Sequence, residues 1–112
     1  GDIQNFVDKE VFVMDVLSTE NYVLPNTVTL HGAYPNPFNP STKIKFELPY
    51  VMHVELNILD IQGRLVKKVA SNSYTEGVNE ILVNGESLAS GLYFAQLITD
   101  NSVSYSKILL LK

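Results

Sequence analysis

Few side chains in this sequence could do chemistry, and their spacing keeps them apart. His31 and His53 are the only histidines, and neither has a second ligand at metal-binding spacing, such as a histidine four residues away. His53 lies in the polar phase of an alternating segment and reads as an exposed strand residue. His31, beside Gly32, reads as a turn residue or a partner for Tyr34. Two carboxylates several ångströms apart can act as general acid and base, and Glu47 and Glu55 could meet across adjacent strands. Both alternate with apolar residues, however, which turns them to solvent as a charged outer face. Asp60, Asp100 and Asn101 occupy turn contexts without the dense ligand spacing of a calcium loop, so they read as solvated turn residues. There is no Gly-x-Ser-x-Gly elbow, no glycine-rich phosphate loop followed by lysine, and no cysteine for a thiolate site. These residues predict no catalytic group, no cofactor and no metal.

Composition narrows the class further. With 112 residues the chain is one domain, or one domain plus a tail, and it buries roughly 65% of its unfolded surface. Apolar residues make up 46% and charged residues 18%, which suits a packed core and argues against disorder. Twelve acidic and eight basic side chains leave a net charge of −4, with no Lys/Arg cluster. Nucleic acid and anionic membrane surfaces are therefore poor partners, and nothing in the sequence calls for a small-molecule substrate. The chain starts at Gly1 without a charged-then-apolar leader, and no apolar run approaches the ~20 residues of a membrane span. We expect a C-terminal piece of a longer protein whose signal peptide lies upstream.

The elements that would position these side chains are strands. Residues 1–26 read as linker or as the last strand of an upstream domain, and the domain proper is expected over 27–112. Within the first part, the β-branched run from Lys9 to Leu17 favours a strand, either of an upstream domain or docked on this one. A helical face through Ile3, Phe6, Val7, Val11 and Met14 is the competing reading. Ser18 to Asn26 carries turn residues and few large apolars. Val28 and Leu30 alternate with threonines as a short first strand. Lys43–Leu48 and His53–Ile58 alternate cleanly, turning Ile44, Phe46, Leu48, Val54, Leu56 and Ile58 inward. Asp60-Ile61-Gln62-Gly63 fits a type I turn closing on a left-handed glycine. Arg64–Val69 returns as a strand, Ser71-Asn72-Ser73 and Glu76-Gly77 mark a loop, and Val78–Val83 is the next strand. Asn84-Gly85-Glu86-Ser87 is a turn. Leu92–Ile98 is apolar at nearly every position and reads as a central strand covered on both faces, or as a barrel-like corner. Asp100-Asn101 turns the chain into a final strand, Val103–Leu111. The fold class predicted is all-β: an immunoglobulin-like β-sandwich of about seven short antiparallel strands.

Three motifs stand out against this pattern. At the front, Pro35, Asn36, Pro37, Phe38, Asn39 and Pro40 follow Tyr34. Each proline fixes φ and lacks a donor, so the segment is stiff and outside any ladder. Tyr34 and Phe38 are expected to pack onto a sheet edge and blunt it. Near the back stand Leu88-Ala89-Ser90-Gly91-Leu92-Tyr93 and then Lys107-Ile108-Leu109-Leu110-Leu111-Lys112, with Asp60-Ile61-Gln62-Gly63-Arg64 between. In this order and spacing they resemble the C-terminal sorting domain of the type IX (Por) secretion system, type A, over Leu30 to Lys112. The resemblance implies a signal that directs an attached passenger across the outer membrane, not an enzyme. Its implied partners are the type IX outer-membrane machinery, a sortase-like peptidase and an upstream passenger domain. The implied route is the periplasm in transit, then the cell surface or the extracellular space, with Ser18 to Asn26 a cleavage region.

By the same resemblance, Gly91, Tyr93, Lys107, Ile108, Leu109, Leu110, Leu111 and Lys112 belong to the recognised signal. Pro35 to Pro40, Asp60 and Gly63 belong to its structural frame. Gly91 and Tyr93 also read as packing residues, Tyr93 burying its ring and keeping its hydroxyl wet. The tail reads equally as a buried last strand whose lysines guard its ends, or as a strand that a translocon adds to its own sheet edge. Two other classes compete. A carbohydrate-binding sandwich would present a planar aromatic strip, whereas this chain has no Trp and six scattered tyrosines. A structural module similar to the immunoglobulin-like domain of the flagellar hook-capping protein would share the Asp-x-x-Gly-Arg hairpin without needing the basic-apolar-basic tail.

Overall fold

Alternation along the chain sorts the side chains onto two sheets that face each other. The structure, a computed structural model, describes residues 27–112; the expected strand over Lys9–Leu17 and the linker at Ser18–Asn26 lie outside the described residues. Seven strands follow in order: β1 (Thr29–Tyr34), β2 (Ser41–Leu48), β3 (Met52–Leu59), β4 (Leu65–Tyr74), β5 (Gly77–Asn84), β6 (Gly91–Ile98) and β7 (Val103–Leu110). One sheet has the order β1-β2-β5 and the other β4-β3-β6-β7, with every ladder antiparallel. No helix occurs among the described residues. This is the sandwich expected from the sequence, with one difference from the constant-type immunoglobulin layout. There the fourth strand joins the sheet of the first two, whereas here β4 pairs with β3.

The core lies between the sheets. Ile44, Phe46 and Leu48 of β2 face Val54, Leu56 and Ile58 of β3, with Ile81, Val83, Ala95, Leu97, Ile108 and Leu110 closing the layer. Phe46 is fully buried and meets the Tyr74 ring edge-to-face at 5.5 Å. Such aromatic contacts add about 0.5–1.5 kcal/mol beyond area burial. The Asp60 turn forms as its residues predict. Gly63 N–H donates to Asp60 O, Gly63 has φ +84, and Asp60 Oδ1 accepts from the Gln62 and Arg64 amides.

Several expectations are corrected. Ser71-Asn72-Ser73 is not a loop but part of β4, in register with His53 to Glu55 of β3. Its polar residues suit a sheet border, where pairing outweighs weak intrinsic propensity. Two register shifts in β4 absorb Val69 and Val66 as extra residues. The strand β6 is central in its sheet but covered on one face only. Tyr93, Ala95 and Leu97 are buried, while Leu92, Phe94 and Ile98 stay partly exposed on the outer face. Glu47 and Glu55 cannot meet, because β2 and β3 belong to different sheets. Glu47 instead faces His31 Nε2 at 3.4 Å, so the partner of His31 is not Tyr34. Glu55 accepts from Asn57 Nδ2, and His53 pairs with Ser71 Oγ at 2.9 Å.

Two outcomes test this packing. Phe46→Ala should cost about 3–5 kcal/mol in a denaturant melt, and Phe46→Asp should abolish cooperative unfolding. The second concerns Asp60. The Arg64 backbone N–H holds its carboxyl below the usual aspartate range, opposed by partial desolvation and helped by the Arg64 guanidinium and the Gln62 N–H. A depressed folded pKa means that the turn is fully stabilised above the unfolded value and loses that stabilisation as pH falls through the folded one. In a carboxyl NMR titration, Asp60 of the folded domain should titrate at lower pH than Asp60 of the unfolded chain; a midpoint at or above the unfolded one contradicts the turn geometry.

Candidate recognition site at the tail

A strand at the border of a sheet turns every second residue's N–H and C=O away from its neighbour. The strand β7 is such a border, and the backbone groups of Lys107 and Leu109, with Leu111 just beyond it, point away from β6. These groups are not free. Asn36 Nδ2 donates to Lys107 O and Leu109 N–H donates to Asn36 Oδ1, both at 3.0 Å. One step further along, Phe38 N–H donates to Leu109 O at 2.9 Å and Leu111 N–H donates to Phe38 O at 3.0 Å. The Asn36 carboxamide thus stands in for a peptide group, and Phe38 supplies a real one in a single parallel bridge with Leu110. Strand addition at Lys107–Leu111, open as a reading of the sequence, meets an edge that is already occupied.

The same segment is anchored from both sides. Phe38 is buried at the end of the sandwich, as expected, but Tyr34 is 84% exposed and stays in β1 opposite Lys43. Its neighbour Pro35 accepts from the buried Thr42 Oγ1 at 2.7 Å, and Pro40 O accepts from Gly85 N–H at 2.8 Å. A Cβ on Gly85 would sit 3.0 Å from both the Phe38 ring and Pro40 O, so a side chain there would press on the motif's backbone and its buried ring. Among the described residues the Asn39 side chain makes no hydrogen bond, and it is exposed. The two asparagines of the motif therefore do different work.

The back motif frames the other flank. Tyr93 is 9% exposed, and its hydroxyl donates to Ala89 O at 2.6 Å instead of reaching solvent. A tyrosine near the start of this strand that bonds backbone a few residues upstream is the tyrosine corner of immunoglobulin-like sandwiches. Gly91 opens β6 opposite Leu110 at φ +154, and no atom lies near its missing Cβ. Ile108 and Leu110 are sealed in the core, Leu109 is half-buried and Leu111 is 51% exposed. Lys112 is tied down: its N–H donates to Ser90 Oγ and its Nζ to Glu86 O. The anchoring roles of Gly85, Thr42 and Ser90 escaped the sequence reading, although Thr42 and Ser90 stand within the front and back motifs. For Gly85 the Asn-Gly pair signalled only a turn, and nothing local reveals its bond to Pro40 or the bonds that Thr42 and Ser90 make 7 and 22 residues away.

Residues 32–111 match the family described as the secretion system C-terminal sorting domain. The chain belongs to that family. The match spans the latch at Asn36 and the tail to Leu111, and it assigns a type IX C-terminal sorting role, with export to the cell surface or the extracellular space. The family is one of sorting signals, not of enzymes. No curated protein and no solved structure matches the chain. Among the described residues no three His, Cys, Asp or Glu side chains gather to hold a metal, and Asp60 spends both carboxylate oxygens on Gln62 and Arg64.

The latch makes a residue-specific prediction. Asn36→Ala should lower stability by about 1–2 kcal/mol and speed hydrogen exchange at Leu109, whose amide it holds. Leu111, held by Phe38, should keep its protection. Asn39→Ala should change stability by less than about 0.5 kcal/mol.

Proposed function

We propose that this domain directs an attached upstream passenger across the outer membrane by docking on the type IX outer-membrane machinery. A sortase-like peptidase then separates the two, cutting within Ser18 to Asn26, and the passenger is released or attached at the surface. Gly91, Tyr93 and Lys107 to Lys112 are the recognised residues in this reading, with Pro35 to Pro40, Asp60 and Gly63 as frame. Tyr93 and Gly91 act by shaping the start of β6, while the tail makes the contact. The observation that carries the proposal is the family match over residues 32–111, joined to the position of β7 at a sheet border where Lys107 and Leu111 reach solvent. A folded sandwich with a capped border suits the task, because it can cross the periplasm without recruiting other strands.

The test is a fusion of the 112-residue chain behind a periplasmic fluorescent reporter in a type IX-competent bacterium. Reporter in the medium or on the cell surface is the expected result, and retention after deletion of Lys107 to Lys112 should accompany it. Reporter held in the periplasm with the whole chain present contradicts the proposal.

A further inference from the structure

The closed edge restricts how the tail can be touched. Its lateral backbone groups at Lys107, Leu109 and Leu111 are bonded to Asn36 and Phe38. Ile108 and Leu110 are 1% and 0% exposed, so their side chains offer a partner almost nothing. What remains is the outer face. There Leu92 and Leu109 are cross-strand partners, and Leu92 is 39% exposed. Together with Asn36, Pro37, Lys107 and Ile108 they line an open recess of about 260 Å³. The recess lies on the seam where the front motif meets the tail, and its lining is mainly apolar. Lys107 at its rim is exposed, and among the described residues no carboxylate pairs with it.

We infer that this recess, and not the strand edge, is the surface by which the export machinery reads the tail, and that its occupant is a protein segment carrying an apolar side chain next to a carboxylate. The apolar group fills the space between Pro37, Leu92 and Leu109, and the carboxylate meets the Lys107 ammonium. Charge complementarity selects the acid: Lys107 is the charged side chain at the rim, and Lys112 is already bound to Glu86 O. An apolar anchor beside a charge pair is the usual composition of a small recognition hot spot. The inference rests on the sorting role proposed above. A recess of about 330 Å³ on the opposite sheet, lined by Tyr34, Lys43 and Leu82, touches no tail residue and provides the comparison.

The experiment uses the same reporter fusion of the whole chain. Lys107→Glu and Leu92→Gln, each on an outer face, should each lower the exported fraction about tenfold, the loss that follows from removing a hot-spot contact. Lys45→Glu and Leu82→Gln on the other sheet should export as the unaltered chain does. Thermal unfolding of each purified chain checks folding. Should charge reversal disturb it, Lys107→Gln removes the charge while keeping the side chain polar and should lower export in the same direction. Unaltered chain exported, with Lys107→Glu and Leu92→Gln exported equally well, overturns the recess and leaves the sorting role standing. Unaltered chain held in the periplasm overturns both. Asn36→Ala separates the two modes of contact: greater export on freeing the edge means strand addition and overturns the inference, whereas unchanged or lower export supports it.

Discussion

The outward backbone of the last strand has to be satisfied, and the way this chain does it organises the rest of the domain. A border strand can leave its groups to water, bury them under a helix or pair them with another strand. Here the partner comes from 71 to 73 residues upstream, as one side-chain amide and one backbone unit of a proline-rich segment. The choice of segment has a consequence for aggregation. A true eighth strand would close β7 only by presenting a new row of donors and acceptors. Pro35, Pro37 and Pro40 have no N–H to present, so the cap ends the sheet instead of extending it.

The cap also fastens the core. Phe38, itself one of the two residues that bond β7, joins the core beside Leu110 and reaches the turn that follows β5, where a Cβ on Gly85 would crowd its ring. Thr42 and Gly85 hold the segment's carbonyls at Pro35 and Pro40, one at each end. Individually these bonds are worth only about 0.5–1.5 kcal/mol each. Together they fix the ends of a six-residue stretch that makes few ladder bonds of its own. They also tie the first sheet, through β1 and β2, to the outer border of the second.

Much of this fold was legible in the sequence because period-two alternation reports burial directly. Lys43–Leu48 and His53–Ile58 gave strand, face and core residues without ambiguity, and Asp60 with Gly63 gave the turn between β3 and β4. Ser71-Asn72-Ser73 misled because serine and asparagine describe exposure as well as turns, and a border strand is exposed on purpose. Leu92–Ile98 misled in the opposite sense: its outer residues are apolar although, among the described residues, no second layer covers them. The role of Asn36 was out of reach. Asn-Pro reads as turn initiation from local chemistry, and a carboxamide that replaces a peptide group in a distant ladder leaves no periodic trace.

This arrangement changes what the tail can mean as a label. A linear signal read along its backbone would be available in an unfolded chain, and any apolar terminal strand would imitate it. A surface built from Asn36 and Pro37 on one side and Leu92, Lys107 and Leu109 on the other exists only when the front segment, β6 and β7 have come together. Bringing Asn36 to Lys107 closes a loop of 71 residues, and its entropic cost must be offset by the strands that fold between them. The two motifs that stand apart in the sequence are therefore one object in space, and an address of this kind carries a second message: the domain that bears it has folded.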